Sequence, residues 1–299
     1  MMRVPPASSA GGGVTPGAWV ASLLQAFPAL RSLLLLAPAL LFLGAFYIYP
    51  LAGVLWSSVS LPAPGLQNYA HFFRAGIYLH AFAITLRISL LVTALCLLLG
   101  YPVAYCLTRV RRTTRGIMLA LILIPFWTSL LVRTFATVIL LQRNGPLNAM
   151  LLGMGIIGQP LPLLYNMTGL LIGAVQVLLP FVIFPLHASM MKIEPAYMQA
   201  ALTLGADPLR AFFRVYLPLT LPGLMTGATL VFISVLGYFV TPAMLGGVRQ
   251  LMVAQLIQDQ IGQFGNWGIA GALSLILLLA TAVLLGLLHA TVGLKAVAR

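Results

Sequence analysis

The sequence predicts an all-α membrane protein with six transmembrane helices, and its composition and patterning are the basis for this prediction. Of the 299 residues, 61% are hydrophobic and only 6% are charged, and the mean hydropathy is +1.06. A soluble domain carries about 25% charged residues, so lipid must be the main solvent of this chain. The apolar stretches are continuous rather than alternating, which favours helices over a β-barrel.

Six apolar stretches are long enough to cross about 30 Å of hydrocarbon as helices. They lie at residues 33–56, 81–107, 117–141, 168–190, 222–245 and 268–293. Residues 1–30 are rich in Gly, Pro, Ser and Ala and are predicted to form a flexible cytoplasmic tail. The sequence is therefore interpreted as a tail followed by one six-span domain at residues 31–299, with a polar loop at residues 191–221.

Basic residues between the spans indicate the orientation. Eleven of the 16 Lys and Arg residues fall on one side of the predicted spans, whereas only Arg74, Arg143 and Arg249 fall on the other. By the positive-inside rule, both termini, the loop at 109–115 and the loop at 191–221 are cytoplasmic. Because the basic residues form no continuous face, the net charge of +13 reflects topology, and no nucleic-acid partner is expected.

The loop at 191–221 is predicted to begin with a short helix. Pro195 suits a first helical turn, where its missing N–H costs nothing, and the helix is predicted to continue through Leu204. Gly205 then supplies the left-handed conformation that ends a helix. Isolated helices of about ten residues are marginal in water, so either the bilayer surface or a partner protein must hold this one.

A second short helix is predicted to follow in the same loop. Asp207 is a good N-cap and Pro208 a good first-turn residue, and the helix is predicted to continue to about Tyr216. Pro218 and Pro222 are predicted to end this helix and to start the next span.

The surface of this loop favours a protein partner. Ala200 and Ala201 leave a flat patch that permits close approach, while Tyr197, Phe212 and Phe213 offer apolar anchors. The alternative is a helix pair that lies only on lipid headgroups, and physical reasoning alone leaves it open.

This loop resembles the EAA loop of permease subunits of binding-protein-dependent ABC importers, whose pattern is E-A-A-x3-G-x9-I-x-L-P. The residues at the fixed positions are Gln199, Ala200, Ala201, Gly205, Val215, Leu217 and Pro218. Gln199 departs from the usual Glu, and Val215 is a conservative variant of Ile. The resemblance implies that these residues, together with Asp207, couple the spans to an ATPase, and that the chain has the type I ABC importer permease fold.

Four further stretches resemble the spermidine/putrescine permease subfamily. They are residues 100–105, 125–136, 140–148 and 241–247, and the whole resemblance covers about residues 35–295. It implies a multi-pass protein of the bacterial inner membrane that forms the translocation path for a small solute, with a polyamine such as spermidine or putrescine favoured. The alternatives are import of an opine, a sugar or another small solute, or a secondary transporter.

The resemblance also implies the partners of the chain. Such importers combine ATP-binding cassette subunits, a second permease subunit and an external solute-binding protein, and the second permease is expected to be a different chain. This sequence has no Gly-x4-Gly-Lys-Ser/Thr phosphate loop, so ATP and Mg are expected on the partner ATPase and no cofactor or metal on this chain. The chain is therefore predicted to be a transport subunit and not an enzyme.

Polar residues in and near the spans are candidates for the translocation path, because intramembrane polar groups usually face a cavity or a partner. The candidates are Trp127, Arg133, Gln176, Tyr238 and Asp259. Arg133 is predicted to lie deep in the third span, about eight residues before its outer end, with packing against a neighbouring helix as the alternative. Asp259 is the one outer carboxylate, so the sequence offers little support for recognition of a cation by this subunit alone.

Overall fold

The computed structural model describes residues 28–297, with side chains from residue 36 to residue 286. Residues 1–27, which make up most of the predicted tail, lie outside this part. Every regular element between residues 28 and 297 is a helix, which confirms the predicted all-α class. The chain divides into two units, Met1–Val54 and Leu55–Arg299.

The first unit contains a long helix with one widened turn. Helix α1 (Pro28–Leu43) leads into a π turn at Gly44–Ile48, and α2 (Tyr49–Ser60) follows and continues past the unit boundary. The Tyr49 N–H donates to the Gly44 carbonyl, five residues back. Because Pro50 has no N–H and its ring crowds the preceding turn, the wider turn accommodates proline without ending the helix.

The second unit holds the remaining helices. They are α3 (Gln67–Arg74), α4 (Gly76–Arg109), α5 (Arg112–Leu123) with a 3₁₀ turn at Ile124–Trp127, α6 (Leu130–Leu141), α7 (Pro146–Gly153), α8 (Met167–Met190), α9 (Pro195–Thr203), α10 (Pro208–Ala211) with a π turn at Phe212–Tyr216, α11 (Leu217–Leu236), α12 (Val240–Leu245) with a 3₁₀ turn at Val248–Gln250, α13 (Val253–Gly262) and α14 (Trp267–Val297).

The main core of this unit lies where α4, α8 and α11 pack against one another. Small residues permit their close approach. A Cβ added to Gly100 on α4 would lie 2.9 Å from Val182 Cγ1, and one on Gly227 of α11 would lie 3.0 Å from Val182 Cα. Helices that meet at glycine gain van der Waals contact along their backbones, which is the main source of helix association in lipid.

A second core lies at the start of α4, where α3, α13 and α14 pack. It contains Phe72, Tyr78, Val253 and Leu273. The Thr85 hydroxyl of α4 accepts a hydrogen bond of 2.9 Å from the Val253 N–H, which satisfies a donor at the start of α13. This contact fixes α13 on the end of α4 that is opposite the α4–α5 turn.

Within the described residues, five helices are long and apolar enough to cross a membrane, namely Leu36–Ser60, Gly76–Arg109, Met167–Met190, Pro208–Leu236 and Trp267–Gly286. A sixth candidate is the pair Arg112–Trp127 and Leu130–Gly153, whose two parts are bent by 98°. The predicted number of spans is therefore confirmed when this bent pair counts as one.

The prediction of a straight third span at residues 117–141 is wrong. The helical path breaks at Thr128 and Ser129, whose backbones are extended. Pro125 within the preceding 3₁₀ turn cannot donate a helical hydrogen bond, and this weakens the helix just before the break. Periodicity did not reveal the break because both halves are apolar.

The bounds of the fifth span also differ from the prediction of 222–245. The helix ends at Leu236, and residues 237–239 separate it from α12. At the other end it continues back to Pro208, so Pro218 and Pro222 do not end a helix as predicted. The Leu217 N–H donates to the Phe212 carbonyl, five residues back, so a π turn again lies immediately before a proline.

Candidate coupling segment and candidate solute path

The coupling segment, defined as residues 191–221, turns sharply at a glycine. Gly205 has φ +86°, and its N–H donates to the Leu202 carbonyl at 3.0 Å. The Ala206 N–H donates to the Ala201 carbonyl at 3.1 Å, so the end of α9 is closed by a Schellman motif. The predicted left-handed turn at Gly205 is thereby confirmed.

Asp207 caps the helix that follows the turn. Its Oδ1 accepts a hydrogen bond of 2.7 Å from the Arg210 N–H, and its Oδ2 lies 3.3 Å from Arg210 Nε. An N-cap of this kind contributes about 1 kcal/mol to helix stability, whereas an exposed ion pair contributes little. The predicted capping role of Asp207 is confirmed, and the Asp207 and Arg210 side chains are both exposed.

An aromatic cluster connects the coupling segment to the spans. We define it as Tyr101 and Tyr105 of α4 with Phe212 and Tyr216 of the π turn. The Phe212 ring lies 6.1 Å from Tyr101 and 5.9 Å from Tyr105, both edge to face, and it stacks on Tyr216 at 5.7 Å. Since the π turn continues into α11, a displacement of the coupling segment would act on α4 and α11 together.

A cavity of about 580 Å³ lies between α9 and the ends of α4 and α8. Gln199 lines it together with Met198, Leu202 and Arg109. The first position of the EAA pattern therefore lies along this groove, next to the α4 terminus.

The remaining pattern residues divide into two groups. Ala200 and Gly205 are exposed, Ala201 beside them is partly buried, and a Cβ on Gly205 would meet no atom within 4 Å. Val215, Leu217 and Pro218 are partly buried in the π turn and the first turn of α11. The first group leaves an open surface, and the second group continues the helix into the spans.

Arg133 lies at the break of the third span. Its Nη2 donates to the Pro125 carbonyl and to the Thr128 carbonyl at 3.2 Å, and the guanidinium lies 5.7 Å from the centre of the Phe126 ring. A cation is favourable at the carboxyl end of a helical turn, where carbonyl groups lack helical partners. The predicted position of Arg133 deep in a straight helix is wrong, because α6 begins only three residues before it.

A polar cluster surrounds this break, and we define it as Arg133, Thr134, Thr137, Gln176, Tyr238 and Thr241. The Thr137 hydroxyl donates to Gln176 Oε1 at 3.3 Å, and the Thr134 and Thr241 hydroxyl oxygens lie 3.4 Å apart. The Tyr238 hydroxyl is buried near Thr241 and Arg133 without a hydrogen bond of normal geometry, and Arg133 Nε is also unpartnered. These contacts join α6, α8 and α12.

The five predicted path residues therefore separate in the structure. Arg133, Gln176 and Tyr238 belong to the polar cluster. Trp127 ends the 3₁₀ turn on the other side of the break and is 91% exposed. Asp259 lies on α13 in the other core region and accepts a hydrogen bond of 3.2 Å from Gln263.

Comparison with known proteins identifies the class of this chain. Residues 96–293 match the family described as binding-protein-dependent transport system inner membrane component. The chain belongs to this family. The permease is thus a multi-pass component of a transport system in the inner membrane, and not an enzyme.

Two curated relatives cover most of the permease. It is 36% identical over 220 residues to the spermidine/putrescine transport system permease protein PotB of Haemophilus influenzae. The aligned residues cover 74% of this chain and 77% of the relative. It is 33% identical over 220 residues to the protein of the same name from Escherichia coli strain K12. That alignment covers 74% of this chain and 80% of the relative.

A solved structure shows the same fold. A chain of the bacterial alginate ABC transporter, crystallised with an alginate pentasaccharide-bound periplasmic protein, superposes with a TM-score of 0.75. The match covers 90% of the permease and 95% of that chain at 18% sequence identity. The predicted type I permease fold is confirmed by this likeness and by the family.

Sequence reasoning missed two sets of residues at these sites. Thr134, Thr137 and Thr241 complete the polar cluster, and the first two are three residues apart and share one side of α6. Tyr101 and Tyr105 complete the aromatic cluster, and their spacing of four residues places both rings on one face of α4. The spacing of each pair on its own helix was the available signal, whereas Thr241 lay only within the stretch 241–247 already noted.

Proposed function

We propose that the permease is the membrane subunit of an ATP-driven importer for a polyamine such as spermidine or putrescine. The observation that carries the coupling role is the aromatic cluster, because it joins an exposed turn at Gly205 to two spanning helices. The solute class is supported by the two relatives described as spermidine/putrescine permeases.

In this proposal the exposed surface of α9 and α10 receives force from an ATP-binding cassette subunit. Ala200 and Gly205 permit close approach of the partner, and Gln199 supplies a neutral hydrogen-bonding group where the EAA pattern has Glu. ATP and Mg bind to that partner. The coupling segment and both termini are then cytoplasmic, in agreement with the excess of basic residues on this side.

The solute path is proposed to pass the break of the third span. Irregular backbone at membrane depth is tolerated only where protein or a water-filled cavity covers it, and Thr128 and Ser129 are exposed within this chain. Trp127 and Tyr238 offer ring faces to an organic cation. An external binding protein delivers the solute on the side where Asp259 lies.

The acidic residues favour a second permease of different sequence. The chain has three acids, of which Glu194 and Asp207 lie in the coupling segment and Asp259 lies on α13. A polyamine that leaves water requires compensating negative charge or ring faces. We propose that a different second permease supplies the carboxylates along the path.

Uptake by the reconstituted transporter tests this function. The permease is co-purified with its ATP-binding subunit, second permease and binding protein, and the complex is placed in liposomes that contain Mg-ATP. We expect accumulation of labelled spermidine or putrescine, and none of a sugar or an opine added at the same concentration. Accumulation without ATP, or of the sugar or opine alone, would refute the proposal.

A further inference from the structure

The turn between α4 and α5 concentrates positive charge. Arg109, Arg111, Arg112 and Arg115 lie within this short stretch, and all except the partly buried Arg115 are exposed. Arg109 is engaged within the chain, because its Nη2 donates to the Tyr105 hydroxyl at 2.7 Å. The other three have no carboxylate partner within the described residues.

The acidic side chains within the described residues do not supply that charge. Of its three acids, Asp207 pairs with Arg210 and Asp259 lies on α13, which leaves Glu194 as the one carboxylate near the turn. Glu194 lines the groove beside α9, and within residues 28–297 it makes no ion pair with an arginine of the turn. Within the described residues, therefore, no carboxylate pairs with the arginines of this turn.

The start of α5 is itself built for an anion. Arg111 occupies the N-cap position, and no side chain accepts a hydrogen bond from the first N–H groups of the helix. These free N–H groups form the positive end of the helix dipole, so arginine is unfavourable here unless an anion is bound. A phosphate at this position would receive both the N–H groups and the guanidinium groups.

Two further side chains, Arg115 of α5 and His187 of α8, lack strong hydrogen-bond partners. Arg115 Nη1 has the Met191 thioether sulfur at 3.2 Å as its acceptor, and a thioether is a weak one. His187, one turn before Met191 on α8, is only 9% exposed, and its Nδ1 is buried with no hydrogen-bond partner. Unused hydrogen-bonding capacity thus lies in the last turns of α8, at whose end Met191 contacts Arg115.

The depth of the turn identifies the source of the phosphate. The apolar part of α5 begins at the exposed Ile117. At 1.5 Å per residue along the helix axis, Arg115 and Arg112 precede it by about 3 Å and about 8 Å, so at any tilt of α5 both lie within reach of the lipid headgroups. We propose that the α4–α5 turn binds the phosphate of an anionic phospholipid, held by Arg111, Arg112, Arg115 and the first N–H groups of α5, with His187 at the inner wall.

A pair of triple variants tests this site on the full-length permease in detergent. The first replaces Arg111, Arg112 and Arg115 by Gln. The control removes the same charge from the opposite end through Arg74→Gln, Arg143→Gln and Arg249→Gln, all at exposed positions. Each protein is delipidated and titrated with phosphatidylglycerol or phosphatidylcholine, and retained lipid is measured by mass spectrometry.

We expect the wild-type protein and the control variant to prefer phosphatidylglycerol equally. The first variant should bind it on the order of 100-fold more weakly, since each basic residue near an anionic surface contributes about a fivefold gain. A His187→Leu variant, which keeps the surface charge, should lose a smaller part of the preference. Equal elution volume and melting temperature establish that the variants are folded.

Three outcomes would overturn the proposal. The first is an unchanged preference in the Arg111, Arg112 and Arg115 variant, and the second is an equal loss in the control variant. The third is displacement of the lipid by equimolar inorganic phosphate, because acyl chains should hold the lipid where free phosphate cannot. If the variant keeps its lipid but loses the ATP-binding subunit during purification from native membranes, the turn is a protein contact and the lipid site is rejected.

Discussion

At the scale of the residue, Gly205 shows how one backbone angle constrains the coupling segment. Its φ of +86° is costly for residues with a side chain, yet a Cβ there would meet no atom within 4 Å. A substitution would therefore strain the turn without a steric clash. The strain is expected to change the direction in which α9 meets its partner and to leave the spans intact.

We predict that Gly205→Val uncouples transport from ATP hydrolysis. The left-handed conformation costs a β-branched residue about 2 kcal/mol, enough to shift the turn away from its native geometry. In the reconstituted complex, solute uptake should fall at least tenfold while the amount of permease in the membrane stays normal. Uptake and ATPase rates are measured on the same liposomes.

The matched control is Gly265→Val. Gly265 has φ +62° and is exposed, and a Cβ added to it would also meet no atom within 4 Å, but it lies in the turn between α13 and α14. The variant should show the same backbone strain with near-normal uptake. Equal loss of uptake in both variants would assign the effect to general destabilisation.

Arg133 gives a second prediction at this scale. Arg133→Gln removes the guanidinium that donates hydrogen bonds to the Pro125 and Thr128 carbonyl groups at the break. The free energy of unfolding should therefore fall by about 2 kcal/mol. Uptake should fall as well. Arg87→Gln is the control, because Arg87 is an exposed arginine on a spanning helix. Thermal unfolding in detergent and initial uptake rates are measured, and equal effects of both variants would contradict a special role for Arg133.

These residues also show what sequence reasoning can reach. The turn at Gly205 and the cap at Asp207 were predictable, because both depend on neighbours within a few positions. The surroundings of Arg133 were not, because they depend on a break between two apolar halves and on helices more than 35 residues away. Gln176 and Tyr238 were identified only as isolated polar residues, and their proximity to Arg133 is a result of the fold.

At the scale of the element, the helix that contains Pro218 and Pro222 is longer than local rules allow. A proline within a helix normally ends or kinks it, but here a π turn accommodates Pro218. Close packing against neighbouring helices stabilises the helix beyond Pro222. A Cβ on Gly223 would lie 2.5 Å from Ser189 Cβ, which shows how tightly α11 meets α8. Tertiary packing of this kind cannot be read from a single segment, so the predicted boundary between coupling segment and span was wrong.

The continuous helix leads to a prediction for the aromatic cluster. Phe212→Ala removes the ring that contacts Tyr101 and Tyr105, so the free energy of unfolding should fall by about 2 kcal/mol, and uptake per ATP hydrolysed should fall. The adjacent Phe213 is the control, since it is exposed and its ring contact is with Phe212. Phe213→Ala should keep the free energy of unfolding near normal, and a similar loss of stability in the two variants would argue against a special role of the cluster.

At the scale of the whole molecule, the second unit places different chemistry at the two ends of one helical core. The coupling segment and the arginine-rich turn lie where α4 and α8 end, and the polar cluster lies toward the start of α8. Gly100 and Gly227 meet the two sides of Val182 between these ends, so the three helices pack too closely to slide independently. Movement at one end is therefore expected to reach the other as rotation of whole helices.

This arrangement requires the coupling segment to face the compartment that holds ATP, and thiol labelling of intact cells tests it. Cys106 is replaced by Ser, while Cys96 is buried and is retained. Single cysteines are then placed at Leu204, which is 88% exposed in the coupling segment, or at Val248, which is 97% exposed near the opposite end. We expect an impermeant maleimide to label Val248→Cys in intact cells and Leu204→Cys only after the membrane is opened. The reverse pattern would place α9 outside the cell, where no ATP-binding subunit can reach it, and the proposed coupling function would be excluded.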